Sequence, residues 1–250
     1  MSSYIELHTA SAFSFLQGAS LPEAIVDRAA DLGYPALALL DRDGVYGAPR
    51  FHKAALSAGI RPIIGAELTV GAGGSGQAGR SSRENDLTHP THQPYQSHQS
   101  YPPHQPPLAP WALPVLCASQ EGYRNLCRLI TRMKMRAPKG KGALAIDELD
   151  GSTRGLVALV GRAALDGHRH GVGGLLDRVV GMFGRDSTYV ELQRHFRRDE
   201  EADNERLIGL AAAFGVPTLA TGGVRFATPA DRPLFDVLTC LHHQTDLARA

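Results

Sequence analysis

The stretch whose reading decides the fold is residues 4–68. It holds three short apolar runs, YIELH (4–8), ALALLD (36–41) and PIIGAEL (62–68), spaced by two longer ones, PEAIVDRAADLG (22–33) and APRFHKAALSAG (48–59). The short runs have the length of buried strands. The longer ones place apolar residues at i, i+3 and i+4 and stop at glycine, the pattern of a helix. Strand, helix, strand, helix, strand at this spacing reads as βαβ units around a parallel sheet. At or beside the end of each strand sits a side chain able to bind a metal: His8, Asp41 and Glu67. Ligands and chemistry collect at such carboxyl ends in α/β folds.

Beyond residue 70 the pattern breaks. Residues 71–79 are glycine-rich, and 81–110 form a tract of His, Gln, Pro, Ser and Tyr. Such composition buries too little apolar surface to offset its ordering entropy, so a disordered insertion is expected. Its histidines, His89, His92, His98 and His104, are irregularly spaced and fix no ligand geometry. Order is expected to resume with strands at 112–119, 155–161, 188–193 and 217–223 and helices at 121–135, 197–215 and from 228 onward. In the helix at 197–215, Ile208, Leu210 and Ala212 are the expected core side. Seven strands alternating mostly with helices suggest a seven-stranded β/α barrel. An open doubly wound sheet stays possible on periodicity alone, which does not register closure.

The 250 residues carry a formal net charge of +1, so any nucleic-acid contact has to come from a local patch. Cys117, Cys127 and Cys240 are odd in number and lack C-x-x-C spacing, which argues against a disulfide framework or zinc knot and fits a reducing cytosol. With neither a signal-like start nor a membrane-spanning apolar run, the expected location is cytoplasmic. No phosphate-binding or nucleophile-elbow motif follows a strand, and no carboxylate trio of a polymerase palm is present.

The segments HTASAFSFLQGAS (8–20), LLDRDGVYGAPRFHKAA (39–55) and GIRPIIGAEL (59–68) resemble the PHP domain, the polymerase-and-histidinol-phosphatase metal fold. More narrowly they resemble the version found in the alpha subunit of bacterial DNA polymerase III and its error-prone DnaE-type relatives. The resemblance covers almost the whole chain outside 71–110. It implies a distorted (β/α)7 barrel built from 1–70 and 111–228, with 71–110 as an insertion and 229–250 as an exit helix toward a polymerase domain.

It also implies a three-metal phosphoesterase centre, in which imidazoles and carboxylates hold divalent ions that activate water. Here His8, Asp41, Glu67 and His195 match ligand positions, whereas Ala10, Arg42, Ala112, Gly223 and Arg225 replace expected ligands. Arginines repel divalent cations, and Arg42 and Arg225 are expected to pair with Asp41 or Glu67 in their stead. No cofactor is therefore expected, or a divalent Zn, Mn or Mg if the remnant binds at all. Without the resemblance, His8 reads as a hydrogen-bonded rim histidine, Asp41 as turn chemistry and Cys117 as a small core residue.

The resemblance thus implies a structural PHP domain of an error-prone polymerase serving DNA replication and repair synthesis. Its expected partners are palm or thumb domains of the same or a separately encoded polypeptide. Arg128, Arg132, Lys134, Arg136, Lys139 and Lys141 form a basic run. It either complements a helix C-terminus or contacts primer-template DNA or an acidic neighbouring face. Two other readings stand beside this one: a divergent metal-dependent phosphoesterase, and a fragment without an independent role.

Overall fold

The computed structural model describes residues 4–71, 110–138, 140–167 and 171–249. The first helices form where the periodicity places them: α1 (Pro22–Asp31) and α2 (Ala48–Ser57), each with proline in its first turn, flank β1 (Ala36–Arg42) and lead to β2 (Arg61–Gly71). Proline is tolerated there because the first helical N–H groups have no intrahelical partner. β3 (Trp111–Cys117) is followed by α3 (Gln120–Met135), whose N-cap Ser119 accepts a hydrogen bond from the Gly122 amide at 3.1 Å. Then come β4 (Leu144–Ala145), β5 (Leu156–Val160), α4 (Arg162–Gly167), α5 (Val172–Phe183) and β6 (Thr188–Leu192). α6 (Glu200–Phe214), β7 (Thr218–Ala220) and α7 (Arg232–His243) complete the order.

The strands form one curled sheet in the order β1-β2-β3-β5-β6-β7, with β4 added beside β2. It is a distorted, incomplete barrel flanked by helices. Its two edges are stitched together by residues 6–10. On one side the Ala38 and Leu40 amides donate to the Glu6 and Thr9 carbonyls at 2.9 and 2.7 Å. On the other, Val224 donates to the His8 carbonyl and Ala10 to the Val224 carbonyl, both at 2.9 Å.

Two sequence expectations about the strands change. The run 4–8 is no strand of a ladder; it makes isolated bridges, Glu6 with Leu37 and Thr9 with Val224. The sheet is also not all parallel, because β3 runs antiparallel to both β2 and β5. An apolar run marks burial and carries no direction, so the reversal was invisible. It follows from Val70 lying opposite Trp111, which puts both ends of residues 72–109 at one end of the sheet. The expected disorder of that tract, and its four histidines, fall outside the described residues.

Strand alternation sorts the side chains into layers. In β1, Leu37 and Leu39 face outward onto Ile25, Val26, Phe51 and Ala55 of α1 and α2, while Ala38 and Leu40 face inward. The inward plug continues with Ile63, Leu116, Leu159, Tyr189 and Leu219, so β1, β2, β3, β5, β6 and β7 all contribute. Outside the other half of the sheet, Leu126, Leu129 and Met133 of α3 and Leu176 and Val179 of α5 build the largest core. On α6 the buried apolar residues are Leu207 and Ala211, beside buried Glu200 and Asp203, while Ile208 is exposed. The run RLIGLAAAF offers apolar residues on every side, so its phase could not be read from sequence.

Candidate functional site

The same alternation builds the site. Continuing inward past the apolar plug, β2 passes from Ile63 to Gly65 to Glu67, and β6 from Tyr189 to Glu191. Glu67 and Glu191 are thus carried into the barrel mouth, and both are buried. His8, delivered by the stitching segment, lies between them. Its Nδ1 is 2.6 Å from Glu191 Oε1 and its Nε2 is 2.6 Å from Glu67 Oε1. Arg225 covers Glu67 from outside, donating from Nη2 to Oε1 at 2.6 Å and from Nη1 to Oε2 at 3.4 Å. Arg42, next inward position after Leu40, places Nη1 3.7 Å from Glu67 Oε2 and donates from Nε to Thr69 Oγ1 at 3.1 Å. Thr221 and Gln193 donate to Glu191 Oε1 at 2.6 and 3.3 Å.

These contacts set the protonation states. Burial works against charge on His8, but Glu191 and Glu67 outweigh it and raise its pKa from 6.5 to about 10. Burial alone would raise the pKa of Glu67; Arg225 and His8 instead hold it well below the usual carboxylate range. Glu191 is likewise lowered, with His8 overcoming its burial. The buried floor is therefore an imidazolium between two carboxylates, capped by a guanidinium.

The sequence-selected residues are only partly brought together. Glu67, His8, Arg42, Arg225 and Ala112 line one open cleft of ≈ 260 Å³. Asp41 does not line it. It has the parity of Leu37 and Leu39, and its oxygens accept from Ser11 N, Ser11 Oγ, Ser14 Oγ and Gly47 N at 2.9, 2.8, 2.9 and 3.1 Å. Arg42 and Arg225 accordingly pair with Glu67, and neither pairs with Asp41. His195 also lies off the cleft: its Nδ1 is 3.2 Å from Glu200 Oε1 and its Nε2 2.9 Å from the Gly222 carbonyl. Ala10 is fully buried in the stitch. Gly223 has φ +59°, the left-handed region that favours glycine, and a Cβ there would meet Gln193 Nε2 at 2.8 Å and push that side chain aside.

Three residues escaped the sequence reading. Glu191 and Arg162 line the cleft. Glu6, also buried, accepts from the Tyr4 hydroxyl, the His8 amide and the Gly222 amide at 2.6, 2.8 and 2.7 Å, which fixes the stitch. A signal existed for the two glutamates. Ile5-Glu6-Leu7, Ala66-Glu67-Leu68 and Val190-Glu191-Leu192 each set one carboxylate between apolar neighbours in an extended run. The context that singled out Glu67 applies equally to the others.

In the basic run, Arg136 pairs with Glu148 and donates from Nη2 to the Ala143 carbonyl at 2.6 Å. Arg132 donates to the Glu148 carbonyl at 3.1 Å, and Arg128 to Asn125 Oδ1 at 3.3 Å. Lys139 lies outside the described residues.

The sequence profile of the PHP domain matches residues 6–195. The chain belongs to the PHP domain family. Relatives of this PHP domain include an error-prone DNA polymerase of Mycolicibacterium paratuberculosis, 35% identical over 92% of the chain and 20% of that protein. Others are error-prone DNA polymerases of Anaeromyxobacter sp. strain K, 33% identical over 99% of the chain and 19% of that protein, and of Nocardia farcinica, 38% over 92% and 22%. The chain thus spans about a fifth of the length of these relatives. Among solved structures, an amidohydrolase from Chromobacterium violaceum, with bound sulfate and no metal, superposes with a TM-score of 0.55 at 15% identity, covering 91% of this chain and 89% of its own. A candidate metal-dependent phosphoesterase from Bifidobacterium adolescentis gives a TM-score of 0.55 at 11% identity, covering 100% and 99%. These two likenesses concern the fold.

The divalent ions implied by the PHP fold do not fit the residues present. The two nitrogens of His8 face opposite carboxylates, so the three side chains converge on no common point. Arg225 occupies the outer face of Glu67, setting a guanidinium where a divalent ion would have to sit. Among the described residues there is no group of three or more His, Cys, Asp or Glu able to hold a metal.

Proposed function

We propose that this PHP domain is a structural module of an error-prone DNA polymerase III alpha-type protein, acting in DNA replication and repair synthesis. In this reading, ion pairs bind the strands together at positions where catalytic relatives would place metals. The observation that carries it is Glu67, buried and held by His8 and Arg225 at 2.6 Å each. A carboxylate so satisfied is a clasp between the stitch, β2 and the segment after β7. The phosphoesterase reading would need converging ligands at this same place.

We infer further that the partner is the polymerase portion of such a protein, in the same or a separately encoded polypeptide, in the cytoplasm. In support, α7 buries only Cys240 and leaves Leu234, Val237 and Leu241 exposed, an apolar face suited to a neighbouring domain. No helix among the described residues is long and apolar enough to cross a membrane. Of the basic run, Lys134 and Lys141 remain candidates for phosphate contact, since Arg132 and Arg136 are engaged with the turn at 146–149.

The test is thermal unfolding of the Arg42→Ala/Arg225→Ala variant beside elemental analysis of the purified chain. The reading expects a clearly lowered melting temperature and no stoichiometric metal. An unchanged melting temperature, or two or three tightly held ions, would sink it.

A further inference from the structure

The clasp leaves the outer face of α3 without a role. α3 lays Leu126, Leu129 and Met133 on the outside of the sheet, so Arg124, Arg128, Thr131, Arg132 and Met135 on its opposite side are exposed and point away from the barrel interior. Residues 121–141 hold seven Lys and Arg against one acid, Glu121, in a chain whose formal net charge is only +1, so the rest of the molecule is acidic. Neighbouring acids do not cancel this charge. Glu121 pairs with Arg154 at 3.3 Å, and Glu148 pairs with Arg136. Among the described residues, Arg124, Arg128 and Arg132 have no carboxylate within ion-pair distance. Arg128 is held in place by Asn125, which is buried and donates to the Arg154 carbonyl at 2.9 Å. Its Oδ1 accepts from Arg128 Nη1 at 3.3 Å, and the other N–H groups of that guanidinium stay open. Arg132 is held through a neutral carbonyl, so it keeps its charge and adds field to the stripe rather than a contact of its own. Arg124 has no hydrogen-bond partner among the described residues.

Arginines four apart on a helix lie about 6 Å from one another on one face, and a basic stripe along a helix is the electrostatic footprint of a nucleic acid. The planar forks of Arg124 and Arg128 match the oxygens of neighbouring phosphates. The stripe offers no ring for stacking: Thr131 and Met135 fill its gaps, and Tyr123 lies about 100° around the helix from Arg124. A single strand has open bases that such a ring would hold, whereas a duplex stacks its bases on one another and turns its phosphates outward. We propose that the outer face of α3 binds the phosphate backbone of a nucleic-acid duplex through Arg124 and Arg128, without reading its sequence. This surface lies outside the barrel, and its binding does not depend on what the cleft or the clasp does.

The experiment is fluorescence anisotropy of the whole 250-residue chain with a labelled mixed-sequence DNA duplex, and with one of its strands alone, over a salt series. Duplex binding is expected that weakens as salt rises and ignores scrambling of the sequence. Arg124→Gln/Arg128→Gln should weaken it at least tenfold at low salt and flatten the log–log salt slope by about 2. Arg197→Gln/Arg198→Gln removes the same charge from another exposed stretch and should leave affinity and slope as they were. Glu121→Gln takes the one acid off the stripe and should tighten binding, which tests the surface even if the double arginine variant fails to fold. Absence of duplex binding at low salt, equal losses from the two arginine pairs, or tighter binding of the single strand overturns the proposal. Binding of polyglutamate in place of the duplex assigns the face to an acidic protein and overturns it too. None of these results touches the structural reading, which melting temperature and metal content decide.

Discussion

At the scale of single residues, Glu67 is the position on which the site turns. Removing one partner of a buried ion pair costs about 3–5 kcal/mol. Arg225 is 27% exposed, so solvent screening reduces that cost. Arg225→Ala is therefore expected to lower unfolding free energy by about 2–3 kcal/mol, measured by urea denaturation. His8 supplies a pH signature. Its folded pKa is raised to about 10 from 6.5, so its contribution to stability is fully present below pH 6.5 and lost as pH rises through 10. The wild-type chain should lose stability across that window, and His8→Gln should flatten the profile there; parallel curves would refute the assignment. His8 and Glu67 were legible in the sequence because each is an ionisable residue ending or interrupting an apolar run, whereas Arg225 was legible only through the resemblance, as a replacement for an expected ligand. The sequence did not show that Asp41 faces away, since a single strand's alternation has no sign until its partner sheet is known.

At the scale of elements, close approaches decide more than propensity does. A Cβ on Gly122 would lie 1.8 Å from the Gly155 carbonyl oxygen, so the first turn of α3 rests on the turn before β5. Gly122→Ala would normally favour a helix, by about 1 kcal/mol. Here it is expected to lower the melting temperature, and a rise would show that the turn yields. The pairing of Arg136 with Glu148 is partly exposed. Its loss through Arg136→Ala should cost no more than about 1 kcal/mol by the same denaturation. Helix positions were readable from 3.6-residue periodicity and proline or glycine punctuation. The phase of α6 was not, because small apolar residues encircle it, and β3's direction was not, because reversal leaves no mark on composition.

At the scale of the whole molecule, the barrel is a sheet curled around an apolar plug and held shut at its mouth by charge. Val70 and Trp111, on either side of residues 72–109 in sequence, pair directly. Replacing residues 72–109 with a two-residue Asn-Gly turn should leave the melting temperature within a few degrees of wild type, because loop-closure entropy changes slowly with length. A collapse of the cooperative transition would show that the tract is needed for the fold. Closure itself was not legible in sequence, because it rests on two isolated bridges made by residues 6–10. Those bridges carry a consequence for synthesis. Glu6 meets Gly222, and Thr9 meets Val224, across more than two hundred intervening residues. On a ribosome residues 6–10 thus emerge more than two hundred residues ahead of the partners that secure them, and His8 waits for Glu191 and Arg225 before it can be enclosed. Folding of this domain is then paced by its most distant contacts, and a nascent chain halted before residue 222 would keep residues 6–10 available to chaperones.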